Sequence, residues 1–132
     1  MCSSDLHARL HARERAAHVD VRGALARMKP RVALYVGGMG HRDKNFHKEM
    51  MIRRGFGDAA QRIQELFLAK RKDEAVAAVP DEFCDEMTLV GPIARIRERY
   101  RAWADSGITG LTIGTEQPEA MELMAGLAGS RR

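Results

Sequence analysis

Apolar residues recur at helical spacing from Val21 onward. Val21, Leu25 and Met28 share one face, followed by Val32 and by Tyr35 or Val36. Asp20 stands where an N-cap belongs, and Pro30 removes one backbone donor, so the pattern predicts a helix bent at the proline. A strand over Val32–Val36 also fits this β-branched, aromatic run; the helix is preferred, with Gly37-Gly38 as its stop. Asn45 can cap a short helix from Phe46 to Arg53 or Arg54, broken by Gly55 and Gly57. Asp58 is placed to cap the next helix, whose apolar face is Ala59, Ile63, Leu66 and Phe67. Val76 and Val79 point inward from a further turn or two, and Pro80 ends that stretch and opens the short turn "DEFCDEM".

The end of the chain differs. "GPIARIRERYRAWADSG" predicts a strong helix with Pro92 near its first position and Gly107 at its stop. Ile93, Ile96, Tyr100 and Trp103 form its apolar stripe. "ITGLTIGT" has no charge and reads as a buried, central strand. "EQPEAMELMAGLAG" closes the chain as a helix with Met121, Leu123 or Met124, and Leu127 inward. Helix, loop, buried strand and helix make one unit of an α/β fold with a parallel sheet. A lone central strand has two edges of unpaired N–H and C=O groups, and no second convincing parallel strand is present in the sequence. The chain therefore reads as part of a larger fold.

Composition changes this picture little. The 132 residues are 45% hydrophobic and 30% charged, which suits a globular domain rather than disorder. No apolar run approaches a membrane span, and no signal peptide opens the sequence, so a cytoplasmic location is expected. Cys2 and Cys84 make no disulfide framework. The pI near 9.4 suggests nucleic acid, but the distribution of charge argues against it. Residues 1–31 hold seven of the 22 bases and three of the 18 acids, leaving fifteen of each in the remainder. The N-terminal stretch "MCSSDLHARLHARERAAH" matches, in its first six residues, one translated frame of a common sequencing adapter, and it has no consistent apolar face. Residues 1–17 are read as an artefactual or disordered segment, and residues 18–132 as the ordered part. His7 and His11, four apart, lack a third ligand, so no metal site is assigned.

Several segments carry a resemblance. In this order, "ALYVGGMG" with "KNF", "KRKDEAVAAVPDEF" and "TLVGPIARIRERYRAWADSGITGLTIGT" resemble the C-terminal third of the luciferase-like monooxygenase family. The similar branch contains actinobacterial oxidoreductases that depend on the deazaflavin coenzyme F-420. The resemblance covers roughly Val19 to Gly126. It implies an α/β fold, the C-terminal portion of a (β/α)₈ TIM barrel, mostly helical as an isolated fragment. "ITGLTIG" would be the eighth strand, and Tyr35–Pro80 the helical insertion and the seventh-helix region beside the active-site mouth. The implied function is hydride transfer or monooxygenation of a small-molecule substrate with F-420, or alternatively FMN, as coenzyme. The fragment would be inactive alone, and the full-length enzyme a homodimer. The alternative is a small helical interaction or nucleic-acid-binding module without catalysis.

Gly37, Gly38 and Gly40 form no P-loop, because no Gly-Lys-Ser/Thr follows. One reading is a helix end and tight turn, with glycine supplying positive φ. The other is that the turn brings Gly37, Gly38, Gly40, Arg42, Lys44 and Asn45 to the coenzyme's anionic tail or to the substrate. Arg42 or Lys44 would supply charge, Asn45 a hydrogen bond and Phe46 an apolar wall. Gly114 and Thr115 follow the implied last strand, at the face where barrel sites are built. No residue of the chain is assigned a catalytic role.

Overall fold

The computed structural model describes residues 20–129. Residues 1–17, set apart above, lie outside the described residues. Eight helices lie among those described: α1 (Val21–Ala26), α2 (Lys29–Gly38), α3 (Phe46–Arg53), α4 (Gly57–Leu68), α5 (Lys72–Ala77), α6 (Asp81–Glu86), α7 (Ile93–Ala104) and α8 (Pro118–Leu127). They divide into two units, residues 20–88 and, among those described, 89–129. No described residue belongs to a β-ladder; an isolated antiparallel bridge joins His41 and Lys44.

Within residues 20–88, α2 is the central element, packed on α3, α4 and α5, while α6 packs on α1. The helix reading of Val32–Val36 holds, with a correction at the proline. The chain breaks at Arg27–Met28, and Pro30 lies in the first turn of a new helix, where its missing N–H costs nothing. The Asp20 carboxylate caps α1 by accepting the Gly23 N–H at 2.8 Å. Asp58 does not cap α4; Phe56 precedes that helix and Asp58 lies in its first turn, where its charge complements the helix dipole.

The core of this unit is Val32, Ala33 and Val36 of α2, Met51 of α3, Ile63 and Leu66 of α4, with Val79, Phe83 and Cys84. Each large side chain so buried contributes about 1.5–3 kcal/mol. Phe56 and Phe83 meet edge to face, 5.4 Å apart. Burial pushes the Cys84 thiol up, consistent with an inert core residue. Lys29 reaches Asp81 at 2.5 Å, and this hydrogen bond holds the Asp81 carboxyl below its usual range.

The glycine pair has a packing role. A Cβ on Gly37 would lie 2.5 Å from the Cβ of Phe67, and one on Gly38 would lie 2.4 Å from its ring. The end of α2 therefore touches α4 backbone-close, which only glycine allows.

Within residues 89–129 the predicted strand is absent. Ile108–Thr115 runs between α7 and α8 without a β-partner, and none of its backbone groups is paired among the described residues. Ile108, Leu111 and Ile113 are 45%, 39% and 39% exposed. Tyr100 and Trp103 of α7 are half-buried, so the stripe is a partly covered wall rather than a core. Met121, expected inward, is exposed, and Met124 is the buried methionine of α8.

Replacing Gly37 by Ala should destabilise the 20–88 unit by about 1–3 kcal/mol, because the Phe67 Cβ cannot swing aside. Gly57→Ala, which meets only an ordinary contact at 3.8 Å, should stay within about 0.5 kcal/mol. Denaturant unfolding of the two variants checks the difference.

Candidate functional site

The turn that follows α2 is built around Gly40, whose φ of +97° is a left-handed conformation. A Cβ there would also press within 3.1 Å of the Lys44 carbonyl. The tight turn closes when the Lys44 N–H donates to the His41 carbonyl at 3.0 Å. His41 Nδ1 accepts the Asp43 N–H at 3.3 Å and lies 3.8 Å from the Asp43 carboxylate.

Asn45 is the anchor of this region. Its side chain is 4% exposed. The amide Nδ2 donates to the carbonyls of Tyr35, at 3.0 Å, and Val36, at 2.9 Å. Those carbonyls belong to the last turn of α2, where helical partners run out. Its Oδ1 accepts the Lys48 N–H at 3.0 Å and so caps α3. One amide thus ties the end of one helix to the start of the next.

Beyond Asn45 lies a polar cleft of about 440 Å³, bordered by Arg42, Asp43, Lys48, Glu49, Gln61 and Gln64 among others. Lys48 Nζ donates to Gln64 Oε1 at 2.6 Å and to Gln61 Oε1 at 2.8 Å. Gln64 is buried on α4, and its Nε2 donates to the Arg42 carbonyl at 3.0 Å.

The residues singled out in the sequence separate on this geometry. Arg42 and Asn45 border the cleft. Lys44 is exposed and lies outside its lining, as does Phe46, which is 71% exposed. Gly37 is buried against Phe67, and Gly38, itself exposed, lies beside the same ring. Gly114 and Thr115 belong to the 89–129 unit. Gly114 has open space around it, and the Thr115 hydroxyl accepts the Gln117 N–H at 3.1 Å. Lys48, Gln61 and Gln64 were not singled out. Their signal is a pair of glutamines three apart on α4, one of them flanked by the core residues Ile63 and Leu66.

The 89–129 unit holds a second, apolar cleft of about 660 Å³. Tyr100, Trp103, Ile108, Leu111, Ile113 and Met124 form much of its wall. No cluster of three His, Cys, Asp or Glu suited to a metal occurs among the described residues. No helix among them is long and apolar enough to cross a membrane.

Comparison with known proteins supplies the class. The family model of the luciferase-like monooxygenases matches residues 6–110, and the chain belongs to that family. The matched span includes most of residues 1–17. The chain is also 35% identical, over 108 residues, to a Mycobacterium tuberculosis protein named "putative coenzyme F-420-dependent oxidoreductase". That alignment takes in 82% of this chain and 31% of the relative, so the chain spans about a third of the relative it matches. No solved structure gives a significant match.

Replacing Asn45 by Ala should cost about 2–4 kcal/mol, since it removes a cap and leaves two helix-end carbonyls without their donor. Asn45→Asp, which keeps the cap acceptor but faces both carbonyls with a carboxylate, should also destabilise. Urea denaturation of the two variants checks this ordering against wild type.

Proposed function

We propose that this chain is the C-terminal part of a luciferase-like oxidoreductase that uses the deazaflavin F-420, with FMN as the alternative coenzyme, on a small-molecule substrate. The observation that carries the reading is the apolar segment Ile108–Gly114. It lies between two helices, and its backbone is unpaired among the described residues. In a (β/α)₈ barrel such a segment is a strand, hydrogen-bonded on both sides by neighbours from the rest of the chain. The apolar cleft beside it is then the surface those neighbours cover. The named relative, roughly three times the matched length, supports this reading and the choice of coenzyme.

The residues present fit an anionic coenzyme end at the polar cleft better than at the glycine pair. Arg42 borders the cleft, and the Gly40 turn carries it there. Gly37, Gly38 and Asn45 serve by holding that turn in place. Gly114 and Thr115 follow the implied strand on the side where barrel sites are assembled. When bound, the coenzyme supplies the hydride-carrying ring, while the protein's own groups bind and orient it. On this reading the isolated chain is inactive and the complete enzyme works in the cytoplasm.

A second reading, a free-standing helical module, draws on the closed core of residues 20–88. Expression of the longer gene product that contains this chain separates the two. The oxidoreductase reading predicts that the longer product binds F-420, seen as quenching of deazaflavin fluorescence, more tightly than FMN, and that the 132-residue chain binds neither. A sharply melting, monodisperse 132-residue chain, with no longer product that binds either coenzyme, would overturn it.

A further inference from the structure

We infer that the polar cleft between the Gly40–Lys44 turn, α3 and α4 is a binding site for a small oxyanion, a phosphate or carboxylate group, with the Lys48 ammonium as its central charge. Lys48 is fixed from below by two neutral amide oxygens, at 2.6 Å on Gln64 and 2.8 Å on Gln61. An ammonium has three donors, and two of them are used this way. The third is left for an acceptor in the cleft. Lys29, by contrast, is neutralised by Asp81 at 2.5 Å.

The support under Lys48 is built in advance of any ligand. Gln64 is 4% exposed, on the apolar side of α4. Burying an amide there is costly unless both its ends are paired. Both are: Oε1 takes the ammonium, and Nε2 donates to the Arg42 carbonyl at 3.0 Å. The same buried group therefore fixes the cation and the backbone that carries a second cation, Arg42, on the cleft wall. Such preorganisation lowers the ordering cost of binding. Asp43 and Glu49 also border the cleft, and Asp43 lies 3.8 Å from His41. These two carboxylates oppose a run of negative charge along the cleft, so the occupant is one compact anionic group, free or at the end of a larger molecule. The site is the cleft to which the proposed function assigns an anionic coenzyme end, and it is argued here from the cleft's own geometry.

Isothermal titration calorimetry tests it, on this chain or on the longer gene product, with inorganic phosphate and with citrate at constant ionic strength. Saturable binding of either anion is expected, weakened about tenfold or more by Lys48→Met and unchanged by Lys44→Ala. Lys48→Arg should recover part of the affinity. If Lys48→Met does not fold, Arg42→Ala at the exposed wall should still show the loss. Phosphate alone binding assigns the site to phosphoryl compounds, and citrate alone assigns it to carboxylates. Absence of saturable heat with both anions, or wild-type affinity in Lys48→Met, would overturn the assignment and the placing of a coenzyme end at this cleft, while coenzyme binding by the longer product is read separately by fluorescence.

Discussion

A backbone segment rich in isoleucine and leucine must find partners for its N–H and C=O groups if it is to be buried. That constraint governs the C-terminal unit of this protein. Ile108–Gly114 is apolar enough for a central strand, yet its peptide groups are unpaired among the described residues. Each such group, if buried away from water, costs about 1–3 kcal/mol. The segment therefore lies open, with Ile108 45% exposed beside an apolar cleft. The chain belongs to the luciferase-like monooxygenases, and on the barrel reading proposed above a parallel sheet satisfies such a segment through neighbouring strands.

The 20–88 unit obeys the same rule and meets it internally. Helix ends expose four carbonyls or four amides each, and here one buried asparagine serves both kinds of end at once. A buried glutamine does the equivalent for a lysine and a loop carbonyl. Paired glycines let α2 approach Phe67 where any side chain would collide. The turn at Gly40 is thus held by packing and by amide hydrogen bonds.

Local signals in the sequence are legible where a single residue type has one strong preference. Asp20 and Asn45 cap helices as their short polar side chains suggest, and Pro80 separates α5 from α6. Pro30 is ambiguous, since a proline inside an apolar run fits a kink and a fresh start equally. The break came at Arg27–Met28, where no glycine or proline marks it. Helical spacing places Met121 inward, but spacing alone does not say which neighbours exist to cover a face, and it is 57% exposed. Asn45 is both a cap candidate and a ligand candidate in the sequence; the cap is formed, and its amide also meets two helix-end carbonyls. The Lys48 pairing was invisible because its partners lie 13 and 16 positions away on another helix.

Amide hydrogen exchange at Ile108–Gly114 tests the central claim most directly, compared between the 132-residue chain and the longer gene product. The account predicts exchange near the unprotected rate in the shorter chain. In the longer one it predicts slowing by about three orders of magnitude or more, as those amides enter a sheet. Strong protection in the 132-residue chain by itself, or none in the longer protein, would contradict it.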